Sequence, residues 1–559
     1  MLHANSGIRI RLVSASIIID VPDDYETIQE AVYNANDGDI IKVVADTYRE
    51  HVFINKSITL EGADPTTTII DGTGNGTILR LEASGINITG FTICNAGSTH
   101  NAIALERDKA TNDDLVIFNN IITTSQYGVY LFNSKRNDIR NNTLFDNFIS
   151  DIQLNSADNN DIIGNTLSGS TFGIKLMYSS DTTISGNTIS ASSYGIYLSD
   201  SSTGNTMSQN TVSGQTAGIY SGSDGNIIHH NTATECAYGI YFYKCKNGEI
   251  YYNTLANNSY GIRVWWHAAT ITSHQIHNNK AIYNDWGIEL TKSLDNTFTG
   301  NWIQQNTHGV YLAESASNTF YHNNFVQNTV QAYEGGLNTW DNGAEGNYWS
   351  DYEERYPDAT EIDDSGIWNT SYAIIPGYDN YPLMDTWSEH DVSIENVTLS
   401  TSQTHAGPIV NITVTVKNNG KISPPTSETF SVTAKYGSNA IDTEPVVDLA
   451  QGANTTLTFH WNTTGVVSGS HPISAEATIV TDELNTDNNN FLDGSIYIIF
   501  LGDINADGAV NGEDLVFLTE AYGSTEGAPN WNPDTDLNED NTVDVLDLLI
   551  LSEDYGKTA

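Results

Sequence analysis

Downstream of Gly128 the chain alternates apolar and polar residues in short runs, and the runs recur. Each opens on a glycine and an apolar residue: "YGVYLFN" (Gly128), "FGIKLMY" (Gly173), "YGIYLSD" (Gly195), "AGIYSGS" (Gly218), "YGIYFYK" (Gly239), "YGIRVWW" (Gly261), "WGIELTK" (Gly287) and "HGVYLAE" (Gly309). Asp151 fills the glycine slot in "SDIQLNS". Steps between neighbours are 21 to 23 residues, with one of 26 between Gly261 and Gly287. Alternation over such short runs predicts strands, not helices. Ile196 and Leu198 point one way and Tyr197 the other. A repeat of this length with two or three short strands predicts one coil of a parallel β-helix, each strand pairing with its equivalent about 4.8 Å away. Asn142, Asn165, Asn187, Asn210, Asn231 and Asn253 fall in one column, placed to form a ladder of side-chain amides at a turn.

Two other periodicities flank the repeat. Ile28, Ala31, Val32 and Ala35 stand at helical spacing before Gly38, a short amphipathic helix that would cover the open end of the coil stack. After Trp387 the period changes to alternating strands at sandwich-like intervals. Val410, Ile412, Val414 and Val416 line one strand face, and Leu457, Phe459 and Trp461 line a face of another.

The C-terminus carries metal chemistry. In "GDINADGAVNGEDL" Asp503, Asn505, Asp507, Asn511 and Asp514 occupy positions 1, 3, 5, 9 and 12 of a calcium-type loop, with Gly508 at position 6 and the carbonyl of Ala509 at position 7. Asp536, Asn538, Asp540, Thr542, Asp544 and Asp547 repeat positions 1, 3, 5, 7, 9 and 12, each 33 residues on. Position 6 of the second loop is Asn541, one of the few residues besides glycine that tolerate positive φ. Each loop runs into an amphipathic helix, and no helix enters the first. About 59 residues bury too little surface to stand alone, so two calcium ions are expected to hold this segment together.

Composition narrows the partners. Acidic residues outnumber basic ones 69 to 22, a formal charge of -47, which repels nucleic acid and anionic headgroups and suits cations. Cys94, Cys236 and Cys245 make an odd set that reads as buried free thiols, not a disulfide framework. No stretch of 18 apolar residues encodes a membrane span. Residues 1–17 have basic and scattered apolar residues but no continuous apolar stretch, and read as a remnant signal peptide.

Three resemblances follow from quoted stretches. "TIQEAVYNANDGDIIKVVADTYREHVFINKSITLEGA", the repeated coils and "EGNYWSDYEERYPD" closing on "YDNYPLM" resemble the NosD-like right-handed parallel β-helix proteins, a superfamily of carbohydrate-binding proteins and sugar hydrolases, over residues 18–386. "HDVSIENVTLS", "VNITVTVKNNG", "LTFHWNTT" and "ELNTDNNN" resemble the CARDB family, an immunoglobulin-like adhesion-related module, over residues 387–500. The duplicated loop and helix resemble a type I dockerin over residues 501–559, which implies a cohesin-bearing partner and an extracellular or cell-surface location. The fold expected is mainly β: a right-handed parallel β-helix, an immunoglobulin-like sandwich and a small two-loop calcium-binding module.

Motifs of known β-helix pectinases are absent from the coils, apart from "DTYRE" (Tyr48, Glu50), which resembles a pectinesterase start and reads as part of the cap. The coils instead offer an outward column two residues after each glycine, including Lys175, Tyr197, Tyr220, Tyr241, Arg263 and Glu289, with Tyr243, Trp265 and Trp266 beside it. This column reads either as an aromatic ladder that stabilises strands or as a platform for sugar rings, with Arg263 and Glu289 bonding hydroxyls. His229, His230, Tyr251, Tyr252, His277 and His322 occupy equivalent turn positions, and His229 and His277, two coils apart, are too far apart to share a metal. The leading expectation is an extracellular modular protein that contacts a polysaccharide or surface glycan. The alternatives are a lyase or glycoside hydrolase on the same rod, or a purely structural adhesion protein.

Overall fold

The computed structural model describes residues 16–190, 192–199 and 201–558, so most of the N-terminal segment read as a remnant signal lies outside the described residues. Two compact units divide at Trp387 and Ser388.

The first unit is a parallel β-solenoid built from three sheets of 14, 13 and 14 strands. Equivalent strands pair in register, so like stacks on like. In the second sheet Ile174, Ile196, Ile219, Ile240, Ile262 and Ile288 form one continuous buried column. The glycine before each of these isoleucines is required by close approach: a Cβ at Gly195 would lie 2.5 Å from the Gly218 carbonyl, and one at Gly261 2.5 Å from that of Gly287.

The asparagine column forms a longer ladder than the repeat phrase predicts, running from Asn120 to Asn347 in the interior. Each rung repeats one pattern. The Asn210 backbone N–H and Nδ2 both donate to Asn231 Oδ1, at 3.0 and 2.9 Å, while Nδ2 also donates to the Ile184 carbonyl at 2.8 Å. A buried amide is thus satisfied by the coil on either side. A second ladder joins Asn258, Asn284, Asn306 and Asn328, and a third joins Asn296, Asn318 and Asn338.

Both ends of the stack are closed. Helix α1 (Ile28–Asn34) buries Ile28, Ala31 and Val32 as its spacing predicts. Glu50 accepts the first helical N–H groups of Ile28 and Gln29 at 3.1 and 3.0 Å, and Lys56 Nζ donates to the carbonyls of Val32, Tyr33 and Ala35. Anion at the N-terminus and cation at the C-terminus complement the helix dipole. The pectinesterase-like "DTYRE" is therefore cap chemistry, with Tyr48 in the core. At the other end, α2 (Tyr352–Arg355) and the segment to Trp387 cover the last coil. Asp379 ties the two closing motifs together by accepting the Asn347 N–H at 2.7 Å and Trp349 Nε1–H at 2.9 Å, under the stacked rings of Phe325, Trp349 and Tyr372.

Asp151 fills the slot between Gly128 and Gly173 in the glycine column, and its side chain is fully buried. Asn147 Nδ2 and the Ser170 hydroxyl donate to Oδ1 at 2.8 and 2.6 Å, while Oδ2 has no hydrogen-bond partner among the described residues. Burial pushes this carboxyl up to about 8, against those two donors. A carboxyl held protonated in the fold but ionised when unfolded contributes stability that is full below the unfolded value of 3.8 and is lost as pH rises through about 8. The solenoid's melting temperature should therefore fall across that window. In Asp151→Asn the fall should flatten, as read by thermal melts in buffers from pH 4 to 9; an unchanged slope in the variant would exclude Asp151 as its source.

The second unit holds a three-stranded sheet (Val392–Leu399, Ile409–Asn418, Asn454–Asn462) and a five-stranded sheet around one core. Val410, Ile412 and Val414 pair directly with Trp461, Phe459 and Leu457, so both sets share one inward face of one sheet. It continues into two helices, α3 (Gly512–Ala521) and α4 (Val545–Asp554), each preceded by a predicted loop.

Candidate functional site

The outer face of the second sheet carries the predicted column, and register explains its continuity. Tyr197, Tyr220, Tyr241, Arg263 and Glu289 sit on successive strands as direct partners. The rings are half-buried and pack on one another. Tyr197 and Tyr220 stack at 4.5 Å, Tyr220 meets Tyr241 edge-on at 5.6 Å, and Tyr243 stacks on Trp265 at 5.2 Å. Burial pushes the Tyr220 hydroxyl far above its usual range, with Tyr197 and Tyr241 adding to the effect, and pushes Tyr241 up to about 12. Trp266 turns back to donate its Nε1–H to the Cys245 carbonyl at 3.4 Å.

Glu289 differs from the outward group expected. Only 5% of it is exposed. It accepts Arg263 Nε–H at 2.8 Å and the Thr291 hydroxyl, so its carboxylate anchors arginine and is not offered to solvent. Burial pushes its acid up, offset by Thr291 and Arg263.

A second column, absent from the sequence reading, stands one residue before each glycine. Tyr238 and Tyr260 stack at 5.2 Å, Tyr260 and Trp286 at 6.1 Å, and Trp286 and His308 at 4.0 Å. Its signal was present in the repeat as the aromatic residue of "YG", "WG" and "HG". Arg263 lies between the two columns, its guanidinium carbon 5.3, 5.6 and 4.7 Å from the ring centres of Tyr238, Tyr241 and Tyr260. The face ends at a cleft of about 730 Å³ bordered by Tyr333, Gln331, Asp351, Arg355, Tyr372 and Ile375.

The histidines lie elsewhere, on the first sheet. His229, Tyr251 and His277 form a ring stack at 4.8 and 5.1 Å, and His230 Nδ1 lies 2.8 Å from His229 Nδ1. His322 stands apart against Glu345 and Trp387. Among the described residues no three histidine, cysteine or carboxylate groups are gathered as a metal site.

The two C-terminal loops repeat each other bond for bond. Asp503 accepts the N–H groups of Asp507 and Gly508 at 3.1 and 2.9 Å, and Asp514 accepts those of Ile504, Asn505 and Asn511 at 2.9, 3.2 and 2.8 Å. Asp536 accepts those of Asp540 and Asn541 at 3.2 and 2.8 Å, and Asp547 those of Leu537, Asn538 and Asp544 at 2.7, 3.2 and 2.7 Å. Gly508 and Asn541 take φ of +91° and +67°, as position 6 requires. Asn511 and Asp544 also cap α3 and α4 through matching capping boxes. Among the described residues, none of Asp503, Asp507, Asp514, Asp536, Asp540 and Asp547 has a basic partner. Burial raises Asp503, and Asp514 and Asp507 add to it. Carboxylates and amide oxygens at these spacings, without a basic partner among the described residues, are donors that suit a hard divalent cation, although no three of the carboxylates converge as a formed metal site in this structure.

Comparison with known proteins agrees with this order of parts. Residues 149–272 and 266–354 match the family described as periplasmic copper-binding protein (NosD). Residues 389–493 match CARDB, and residues 501–554 match the dockerin type I domain, a calcium-binding module. No curated protein sequence matches the chain. Among solved structures, the A-module of an Azotobacter vinelandii mannuronan C-5 epimerase is 16% identical, over 56% of this chain and 93% of that one, with a TM-score of 0.36. An alginate lyase from a Paenibacillus species is 14% identical, over 58% and 98%, at 0.28. A CARDB domain from Pyrococcus furiosus is 22% identical, over 23% and 100%, at 0.17.

Proposed function

We propose that this chain is an extracellular or cell-surface modular protein whose solenoid (residues 18–386) meets a glycan, whose sandwich (387–500) acts as a spacer, and whose dockerin (501–559) attaches it to a cohesin-bearing partner. The observation that carries the reading is the bond-for-bond repeat of the two loops. One calcium ion would be held by Asp503, Asn505, Asp507, the Ala509 carbonyl, Asn511 and Asp514. A second would be held by Asp536, Asn538, Asp540, the Thr542 carbonyl, Asp544 and Asp547. Their charge would offset carboxylates that have no basic partner among the described residues and thereby fix the starts of α3 and α4. Val516, Phe517, Val545, Leu546 and Leu549 are exposed on these helices, apolar surface that a cohesin would cover. The absence of a membrane-crossing helix among the described residues is compatible with attachment through a partner.

Binding is favoured over hydrolysis on the glycan-facing sheet, because Glu289, the carboxylate in its outward column, is buried and held by Arg263 and Thr291. The lyase alternative is open to direct assay by ultraviolet absorbance of unsaturated uronates.

The attachment half is tested with the full chain against a panel of immobilised cohesins, with and without EGTA. Capture that disappears with EGTA and returns with calcium is expected. Capture indifferent to chelation, or no capture by any cohesin, would overturn it.

A further inference from the structure

In a chain with 69 acidic and 22 basic residues, the second sheet departs from the bulk composition. Eight of its 13 strands, Ser150–Asn155, Phe172–Met177, Tyr194–Ser199, Ala217–Ser221, Tyr238–Tyr243, Tyr260–Ile271, Trp286–Leu294 and His308–Ala313, contain two carboxylates, Asp151 and Glu289, and both are buried, while exposed Asp285 and Glu314 flank the last two strands. Lys175 and Arg263 are partly exposed on the same strands, Lys292 pairs with Glu314 at 3.7 Å, and Lys244 directly follows the strand Tyr238–Tyr243. Lys244 lies 4.8 Å over the Tyr243 ring and 5.9 Å from Trp265, beside the column that holds Arg263.

Arg263 is the best-built of these cations. A guanidinium has five N–H donors in a fixed fork. Among the described residues, Nε–H is engaged by Glu289 at 2.8 Å and one Nη1–H by the Tyr238 hydroxyl at 3.1 Å. The other side of the fork has no acceptor among them. Three tyrosine rings fix its plane, and Glu289 beneath is itself held by Thr291. A neutral sugar needs acceptors for its hydroxyl protons as well as donors. Around Arg263 the carboxylate within the strands, Glu289, is buried, and the surface offers Arg263 and Lys244 framed by aromatic rings. That combination suits a ring bearing a carboxylate or sulfate, which an arginine fork can engage with two parallel bonds.

Resting on the reading of this face as a glycan surface, we infer that its ligand is an anionic polysaccharide, with an acidic substituent seated on the outward N–H groups of Arg263 and Lys244 beside it. Glu289 is then a positioning residue that orients the fork. Lys175, four strand steps away by register, about 19 Å, would meet another substituent of the same polymer.

The test uses the full chain in calcium buffer and three matched probe pairs that differ in charge: polygalacturonate and methyl-esterified pectin, alginate and its propylene glycol ester, dextran sulfate and dextran. The first two pairs report carboxylate and the third sulfate. Affinity for at least one acidic member should exceed that for its neutral counterpart by about tenfold or more, and Arg263→Lys, which keeps charge but loses the fork, should erase most of that preference. The matched-pair measurement on the unaltered protein stands even if the variant does not fold. Equal binding within every pair, or binding only to neutral glucans or xylans, would overturn the inference and leave the glycan reading intact. An acidic preference unchanged in a folded Arg263→Lys protein would remove Arg263 from it. No binding to any acidic or neutral polysaccharide would overturn both.

Discussion

Chelating calcium from the full chain should unfold residues beyond about 501 while the solenoid and sandwich melt as before. The module's buried core consists of Val510, Leu518, Ala521, Leu537, Val543 and Leu551, too few side chains to offset the chain entropy of a segment this long. Each loop also carries three aspartates with no basic partner among the described residues: Asp503, Asp507 and Asp514 in one, Asp536, Asp540 and Asp547 in the other. Ligand binding to the folded form contributes about 4 kcal/mol per site at a thousandfold excess over Kd, so two ions would account for about 8 kcal/mol. That exceeds what a core this small supplies. Hydrogen exchange should show amides of α3 and α4 losing protection in EGTA and regaining it with calcium. Asp503→Ala and Asp536→Ala should each weaken protection, and the pair together should abolish it. Protection of both helices that survives EGTA would rule out metal as the staple.

The second large effect is expected from Asn231→Ala, in the middle of the long ladder. Asn231 Oδ1 accepts both the N–H and Nδ2 of Asn210, and its own Nδ2 donates to the carbonyls of Met207 and His229 and to Asn253 Oδ1. Alanine removes five hydrogen bonds across three coils and takes the Asn231 acceptor from the buried Asn210 N–H, while Asn210 Nδ2 keeps the Ile184 carbonyl, Asn253 Oδ1 keeps the residue-231 N–H and the His229 carbonyl keeps the Gln209 N–H. At about 0.5–1.5 kcal/mol for each lost bond, and more for a donor left unsatisfied, a loss of about 3–5 kcal/mol in solenoid stability follows. Ser193→Ala, at an exposed position in the same rod, should change stability by less than about 0.5 kcal/mol. Urea unfolding of both variants gives the comparison. A loss below about 1 kcal/mol for Asn231→Ala would mean that the ladder follows strand pairing and does not stabilise it.

How much was legible depended on the range over which each residue acts. Local periodicity carried the solenoid, because Ile196 and Leu198 recur where the next coil needs them. The cap was readable from Ile28, Ala31 and Val32, although the ionic clamp of Glu50 and Lys56 on its two ends was not, since these partners lie 21 to 24 residues away. Both calcium-type loops were readable because every partner lies within twelve positions. Glu289 was misjudged as a surface group. Alternation placed it on the outer face, but its exposure is set by Arg263 and Thr291, one of them a whole coil away. The second aromatic column escaped for a similar reason. Tyr238 and Tyr260 each look like an incidental residue before glycine until register stacks them.

The sequence by itself determined the repeat, the order of its parts and the calcium-type spacing of the two C-terminal loops, because strand alternation and loop spacing are written in neighbouring residues. The tertiary structure decided which side chains of the rod reach solvent. It withdrew Asp151 and Glu289, stacked the tyrosines and left one edge of Arg263 without an acceptor among the described residues. Burial and uncommitted hydrogen-bond donors arise only when distant coils are laid side by side, so no window along the chain contains them.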